Sequence, residues 1–478
     1  MFSSNKVIGL PKKQTGITLL IFVLLVVIVS SSVMLSVMSS NNVRNERDKK
    51  TATALAEAKA ALIGFAVSIN LSNEDCTAPN NNCARLGDFL CPDMDDDGDA
   101  EGSCGNTSGS TGQADRIGRL PWKTLGLPDL RDGNGDRLWY ALSNNFKNNF
   151  RTRCMTSGES GCLNSDTVGT ITLRNSAGTI INNANAGSGV VAVVFSPGTP
   201  LTREDGVVQD RGCAGCSTNP INYLDNLESV DDNASFVDGS AADGLIKGPI
   251  LDEDGATIIN DNLLAITTEE LMPVLEKRVS IEVLNCLKDY ALKNPGGVGR
   301  YPWTTNGAGT YPSFADSTEH RLGRIPDTLF TNTQASSAGY MSNTWPTTLP
   351  TACKIYSSSG WWVNWKELVF YAVAWDRDPA SNFPVPNCGD EPGVKDCLTV
   401  ATPTATQTNQ SVVVMVAGKV LTSLGQSRST TAQKRLISNY LEGDNFTSSA
   451  TTRNPNNEDA VFEKGISSSM FNDVVVSY

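Results

Sequence analysis

The feature that most constrains this chain is an uncharged, apolar segment near its N-terminus, residues 17–38, which follows Lys12, Lys13 and Gly16. As an α-helix rising ~1.5 Å per residue, the segment would be about 33 Å long, enough to cross the ~30 Å hydrocarbon core of a bilayer. Because positively charged residues favour the cytoplasmic side, the two lysines orient the rest of the chain outward. We therefore expect a membrane-anchored protein whose bulk lies outside the cytoplasm.

The apolar segment continues into a second helical segment. There the apolar residues recur at alternating spacings of three and four, which places them on one face of a helix: Leu55, Ala58, Leu62, Phe65 and Ile69. No proline interrupts residues 17–69. We predict one long helix, embedded in lipid at its start and packed on a globular domain at its end. A cleavable secretory signal fits poorly, because its apolar core is shorter and ends at a small-residue cleavage site.

Taken together, the basic leader, Gly16, the apolar cluster beginning at Ile17 and the long helix resemble the N-terminus of a type IV pilin or type II secretion pseudopilin precursor. In that family, a prepilin peptidase cuts after the glycine, the new N-terminus is methylated, and the helix packs with those of other subunits in a filament. The resemblance covers residues 12–70 and implies cleavage between Gly16 and Ile17. It also implies other pilins or pseudopilins as partners, and a location in the inner membrane before assembly and in the periplasm or a cell-surface pilus afterwards.

One position departs from the family pattern. Most subunits carry a glutamate at the fifth mature position, where it neutralises the amino terminus of a neighbouring subunit, whereas this chain has Ile21. A carboxylate within lipid is costly unless it has a partner, so a subunit that docks on nothing above it has no use for one. The resemblance therefore implies a large minor subunit at or near the tip of the filament.

All twelve cysteines follow the apolar segment, and their even number, exported location and close spacing favour disulfides. Pairing each cysteine with its sequence neighbour is the simplest arrangement: Cys76–Cys83, Cys91–Cys104, Cys154–Cys162, Cys213–Cys216, Cys286–Cys353 and Cys388–Cys397. A zinc site at the Cys-x-x-Cys sequence of Cys213 and Cys216 is the alternative. It is disfavoured because the chain has no second such pair and a single histidine.

Short sequence landmarks recur in the same order in the two halves of the chain. Residues 117–121 match 322–326, and residues 222–225 match 439–442. We predict an α+β fold in which two tandem pilin-like modules, each a helix packed on an antiparallel sheet, follow the membrane-spanning helix and are stapled by disulfides. The expected divisions are a leader (1–16), the N-terminal helix (17–70, with its membrane part 17–38), a first module (71–265) and a second module (266–478), with residues 243–262 as the linker.

The acidic segment 93–101 is the strongest candidate for a chemical site. Its carboxylates alternate and Gly98 occupies the sixth position, as in the first half of an EF-hand calcium loop, where glycine permits the sharp turn. The expected calcium ligands are Asp93, Asp95, Asp97, Asp99 and Glu101. The twelfth position is Cys104 instead of a glutamate, so a bidentate ligand must come from elsewhere. The alternative is a solvated acidic loop that binds no ion.

A weaker calcium candidate comprises Asp132, Asn134 and Asp136, which also alternate. The same Asp-Gly-Asn-Gly-Asp sequence is typical of a tight turn that leads into a strand, and the two interpretations remain equal here. Trp361, Val363 and Trp365 alternate as in a strand that buries one face. Core packing is favoured for these aromatic residues over an exposed adhesive surface.

The charge of the chain and the motifs it lacks limit the classes of function that we expect. The net charge of −13, with no basic cluster to follow a phosphate backbone, excludes nucleic acid as a partner. A single histidine and the absence of nucleophile-elbow, Walker, zincin and dinucleotide motifs indicate that the protein is not an enzyme. We therefore predict a minor pilin or pseudopilin that acts in filament assembly and surface recognition. The alternative is an exported, signal-anchored calcium-binding adhesin or envelope enzyme unrelated to pili.

Overall fold

The computed structural model describes the following residues, with side chains in the first helix described from residue 42: 15–71, 85–102, 104, 116–147, 162–227, 231–236, 239–293, 299–305, 314–329, 345–346, 348–350, 353, 355, 361–379, 397–447 and 460–478. They form a mixed α/β structure with two long helices. The first, α1 (Thr15–Ser68), is 54 residues long and uninterrupted, as the sequence predicts. Residues 42–50 are exposed, and the apolar face buries Leu55, Ala58 and Leu62.

The described strands before the second long helix are β1 (Ile117–Arg119), β2 (Trp139–Leu142), β3 (Leu173–Arg174), β4 (Ile180–Asn182), β5 (Ala192–Ser196), β6 (Asn226–Leu227), β7 (Asp231–Asp232), β8 (Leu245–Ile246), β9 (Ile250–Leu251), β10 (Thr257–Ile259) and β11 (Asn262–Ile266). The second long helix is α2 (Thr268–Lys293). It is followed by β12 (Leu322–Arg324), α3 (Trp362–Trp365), β13 (Val369–Val373), β14 (Leu398–Ala401), β15 (Thr406–Gln410), β16 (Val412–Val416), α4 (Thr431–Lys434), α5 (Asp444–Thr447), β17 (Val461–Glu463) and β18 (Val474–Ser477).

Two four-stranded sheets organise the structure. The first sheet has the order β1-β2-β5-β11 and the second has the order β12-β13-β16-β18, and every pair in both is antiparallel. Beside each sheet lies a three-stranded side sheet, β4-β3-β8 or β15-β14-β17. In each side sheet the central strand pairs antiparallel on one side and parallel on the other. The two halves of the chain therefore share their strand order and pairing directions.

Both long helices pack between the two sheets. The helix α1 contacts β5 and β11 of the first sheet, α2 contacts β16 and β18 of the second, and the helices contact each other. Buried residues of both helices and of the inner faces of both sheets belong to one continuous hydrophobic cluster. The outer faces of the sheets contribute to two separate clusters with residues of their side sheets.

Burial on both faces explains the sequences of the central strands. In β2, Tyr140 belongs to the shared cluster and Trp139 to the outer one. In β16, Val414 faces the helices and Met415 belongs to the outer cluster. A strand covered on both faces has no polar face to present, so its sequence is a continuous apolar run instead of an alternating one.

Residues 243–262, which we predicted to be a linker, are instead structured. This interval contains β8, β9, β10 and the start of β11, and Ile246 and Ile259 are fully buried. The prediction was wrong because the turn-forming residues around Gly255 separate short strands of the first half. Those turns resemble a linker in composition but connect paired strands.

The tryptophan-rich segment is buried, but in a different secondary structure from the predicted strand. Trp362–Trp365 form the short helix α3, and all four residues are buried. Trp361 is also buried and lies edge-on to Trp362, with the ring centroids 5.6 Å apart. Because apolar side chains point in every direction here, alternation could not distinguish strand from helix. The burial of these tryptophans confirms the predicted core packing.

The turn of residues 132–136 packs directly on α1. The backbone N–H of Gly133 donates to Thr51 Oγ1 at 2.9 Å. A Cβ atom at Gly133 would lie 2.3 Å from the carbonyl oxygen of Arg47, so the two backbones approach too closely for any side chain. Glycine is thus required where the helix docks on the sheet.

We expect Gly133→Ala to lower the free energy of unfolding by about 1–3 kcal/mol, because the turn must move away from α1. The matched control is Gly64→Ala. Gly64 lies in α1 itself, where an added Cβ would meet no atom within 4 Å. That change should raise the free energy of unfolding by about 0.5–1 kcal/mol, because alanine favours a helix more than glycine does. Urea unfolding of the full chain in detergent measures both. Equal stability of Gly133→Ala and the wild type would contradict the close packing.

Candidate functional site

The acidic loop, residues 93–101, brings three carboxylates together. Asp93, Asp95 and Asp97 each offer one oxygen, and these oxygens lie within 4.8 Å of one another. Asp93 is buried, whereas Asp95 and Asp97 are exposed. This arrangement could hold a metal ion with one buried and two accessible oxygen ligands.

Hydrogen bonds from the backbone explain why the loop folds around Asp93. Its two carboxylate oxygens accept the N–H groups of Asp96 and Gly98, each at 2.7 Å. Gly98 has a φ of +92°, and a Cβ there would lie 2.7 Å from the indole nitrogen of Trp122. The glycine that the sequence pattern singles out is therefore needed both for the turn and for close packing.

The electrostatics of the loop favour a bound cation. Burial raises the pKa of Asp93, and the neighbouring charges of Asp96 and Asp97 raise it further, while the hydrogen bonds from Gly98 and Asp96 act in the opposite direction. A raised pKa means that the charged carboxylate is destabilised in the folded protein. A positive ion among these oxygens would lower that cost.

The other predicted ligands lie outside the three-carboxylate group. Asp99 Oδ1 accepts from the hydroxyl of Thr124 at 3.3 Å, and Glu101 Oε1 accepts from the N–H of Met94 at 3.4 Å. Each therefore has a hydrogen-bonding role within the loop or to the segment beside it. The disulfide between Cys91 and Cys104 closes the loop.

Asp96, which the sequence pattern did not select, anchors the loop to the first sheet. It has a φ of +65°, an uncommon conformation for a residue with a side chain. Its carboxylate lies 2.7 Å from Arg137 and 3.8 Å from Arg119, a β1 residue. In the sequence, Asp96 lies between the alternating predicted ligands. The alternating pattern therefore predicted no partner for its side chain.

The weaker calcium candidate forms a structural turn. Asp132 Oδ1 accepts the N–H groups of Asn134 and Asp136 at 2.8 and 3.0 Å, and Asp132 Oδ2 accepts from Ser196 at 2.8 Å. Asp136 is paired with Arg211 at 2.5 Å. Both carboxylate oxygens of Asp132 and one of Asp136 are therefore used in contacts that shape the turn.

The structure joins Cys91 to Cys104, Cys213 to Cys216, and Cys286 to Cys353. The predicted disulfide between Cys213 and Cys216 is therefore confirmed, and the alternative of a zinc site does not apply. Cys162 and Cys397 are also disulfide-bonded. The remaining predicted partners lie outside the described residues: Cys76, Cys83, Cys154 and Cys388.

The expected processing site lies within α1. Gly16 and Ile17 are helical, and their side chains, like those of the expected membrane part 17–38, lie outside the described set. Within the described residues, the segment Asn42–Ser68 is long and apolar enough to cross a membrane by length and composition alone. One face of it is buried against the sheets, so a core helix accounts for the same apolar character.

A second feature, which the sequence analysis missed, is a buried pair of acidic residues in each half. In the first half, Asp261 Oδ2 accepts from the N–H of Asp225 at 2.7 Å and from the side chain of Asn233 at 2.8 Å. The Asp225 carboxylate accepts from Gln209 at 2.9 Å and from the N–H of Asn260 at 2.7 Å. These hydrogen bonds tie the segment just before β6 to the start of β11.

The second half repeats these four hydrogen bonds at equivalent positions. Asp473 Oδ2 accepts from the N–H of Glu442 at 3.0 Å and from the side chain of Asn445 at 2.9 Å. Glu442 accepts from Gln426 at 2.7 Å and from the N–H of Asn472 at 3.0 Å. The signal was present in the sequence, because the Asn-Tyr-Leu-acid and Asn-Asp landmarks recur in both halves. Only the fold shows that the acidic residues of the two landmarks meet.

Burial controls the ionisation of both pairs. It raises the pKa of Asp225 to about 6, although hydrogen bonds from Asn260 and Gln209 oppose the shift. Burial and the adjacent Asp225 raise the pKa of Asp261, and burial and the adjacent Glu442 raise that of Asp473. Two close carboxylates in an apolar interior cannot both ionise freely, so each pair tends to retain a proton.

Comparisons of the chain with protein-family models, with curated proteins and with solved structures find no match.

We expect the protein to become more stable on acidification from about pH 7 to about pH 5. The pKa of Asp225 is higher in the folded state than its ordinary value of 3.8, so the folded protein binds more protons and stability falls as pH rises through this range. At about 1.4 kcal/mol per pKa unit, the change is on the order of 1–3 kcal/mol. Asp225→Asn should make this gain in stability on acidification smaller, whereas the exposed control Asp252→Asn should leave it unchanged. Chemical unfolding at several pH values in chelator tests this, and stability rising with pH would contradict it.

Proposed function

We propose that this protein is a membrane-anchored, pilin-like subunit, a minor pilin or pseudopilin of a type IV pilus or type II secretion pseudopilus. The observation that carries the proposal is α1. One uninterrupted helix of 54 residues joins the apolar segment to a half that packs on an antiparallel sheet. A plain membrane anchor needs neither this continuity nor the Gly16 junction. Removal of the leader would leave the apolar half free to pack with other subunits in the membrane and then in a filament.

We further propose that the part of the chain after α1 is an internal duplication of one pilin-like module. The support is the shared strand order of the two sheets and side sheets, together with the repeated network of Asp225–Asp261 and Glu442–Asp473. A network repeated with the same donors and acceptors is difficult to explain by independent origin. In this proposal α1 and α2 are equivalent helices, and only the first was extended into the membrane.

A position at or near the filament tip follows from size and from Ile21. The duplicated head is bulky, so it would obstruct repeated stacking along a thin filament. At the fifth mature position Ile21 offers no carboxylate to a neighbouring amino terminus. We therefore propose that the protein acts in filament assembly and surface recognition and catalyses no reaction. An exported adhesin or enzyme on a plain anchor is the alternative that processing at Gly16 would exclude.

The processing step can be tested directly. Co-expression with a prepilin peptidase should yield a mature chain that begins at Ile17. Gly16→Val should block cleavage and leave a heavier precursor, because a side chain at the junction obstructs the peptidase. The matched control is Gly9→Val, which changes another leader glycine and should leave cleavage intact. Mass spectrometry of the N-terminus measures the outcome, and a mature start at any other residue would count against the pilin-like assignment.

Calcium is the ion we propose for the acidic loop. Carboxylate oxygens are hard ligands, and an irregular loop with backbone carbonyls nearby suits the flexible, oxygen-rich coordination of calcium better than the strict octahedron of magnesium. The role of the ion would be to hold the loop, and through Asp96 the edge of the first sheet, in one conformation.

The full chain in detergent should therefore melt at a higher temperature in calcium than in chelator. At a hundredfold excess over the dissociation constant, the gain is about 2.7 kcal/mol. Asp95→Asn combined with Asp97→Asn should remove most of it, while the hydrogen bonds of buried Asp93 keep the loop folded. Asp252→Asn with Asp254→Asn alters another exposed acidic turn and serves as the control. If wild type and loop variant respond alike, the loop is acidic without being a calcium site.

A further inference from the structure

A cavity of about 450 Å³ lies between the N-terminal half of α2 and the edge of the second sheet. Its size is in the range of pockets that enclose small organic ligands. The lining combines apolar side chains, such as Met272 and Val475, with a few polar ones. It is separate from the acidic loop and from the expected processing site, and nothing in the proposed function uses it.

The buried side of the cavity is acidic. Glu276 on α2 lines it and is 4% exposed. Burial raises the pKa of Glu276 to about 7, and Asp166 and Glu442 contribute in the same direction, whereas Ser165 and Arg428 oppose it. A carboxyl in this state is balanced between its neutral and charged forms. A ligand cation beside it would favour the charged form.

The exposed side of the cavity is basic. Lys277 and Lys464 both line it and both are exposed. Among the described residues, neither ammonium group has an ion pair. Burial lowers the pKa of Lys277, and the like charge of Lys464 lowers it further, so the two lysines repel each other. A negatively charged ligand group between them would remove the repulsion.

We propose that this cavity binds a small molecule that carries both a primary ammonium group and a carboxylate, such as a free amino acid with an apolar side chain. The ammonium group pairs with the carboxylate of Glu276, and the carboxylate of the ligand lies between Lys277 and Lys464. The apolar part packs on Met272 and Val475. A neutral sugar would leave Glu276 and the two lysines without a partner of opposite charge.

The test uses isothermal titration calorimetry on the full chain in detergent, with L-norleucine as the probe. L-Norleucine should bind. N-acetyl-L-norleucine lacks the ammonium group and pentylamine lacks the carboxylate, so each should bind at least about tenfold more weakly. Glucose should give no heat of binding. Failure of L-norleucine to bind, or equal affinity for the acetylated compound, overturns the proposal.

Two sets of variants locate the binding. Lys277→Ala with Lys464→Ala should weaken L-norleucine binding at least about tenfold without threatening the fold, because both residues are exposed. Glu276→Gln tests the buried side and should weaken binding while leaving the lysines in place. The matched control is Lys247→Ala, an exposed lysine of the first half that does not line the cavity. Unchanged affinity in the double lysine variant, or an equal loss in the control, overturns the site.

Discussion

The packing of α1 against α2, with a sheet on the outer side of each helix, is the interaction on which the rest of the structure depends. Each helix contacts both a sheet and the other helix. The resulting cluster joins residues as distant in sequence as Ala54 and Val476. Burial on this scale is the main favourable term in folding, so the two halves of the chain stabilise each other instead of standing as independent units.

Polar contacts reinforce this shared core at one segment of the first half. The N–H of Leu163 donates to Asn364 at 3.0 Å, and Ser165 donates to the carbonyl of Ala417 at 2.9 Å. Asp166 pairs with Arg428, a residue that also lies over the ring of Tyr440. These bonds are buried or partly buried and directional, so they fix how one half sits on the other, while the apolar cluster supplies most of the free energy.

The sequence predicted what local patterns determine and missed what depends on distant partners. The long helix follows from periodicity and composition, and a second helix packed on an antiparallel sheet follows from the repeated landmarks. The interval 243–262 did not, because turn residues look alike whether they join paired strands or separate domains. In the acidic loop, alternation selected Asp93, Asp95 and Asp97, whose carboxylates the fold brings together, yet it gave no sign that Asp99 and Glu101 have other hydrogen-bond partners. The contact within each acidic pair could not be predicted, since Asp225 precedes β6, Asp261 precedes β11, and only the fold brings these distant segments together.

The shared core also bears on how a membrane helix and a head can work as one subunit. Lys59 of α1 donates to the carbonyl of Ala265 at 2.8 Å and pairs with Glu270, in the first turn of α2, at 2.6 Å. Burial and the hydrogen bonds of this pair act in opposite directions on Glu270, and its pKa is lowered overall, as a carboxylate with a nearby cation requires. A displacement of α1 would therefore disturb both sheets, through the core and through this contact at the junction of β11 and α2. In the proposed filament, a force applied through the membrane half would reach the whole head and not the first half alone.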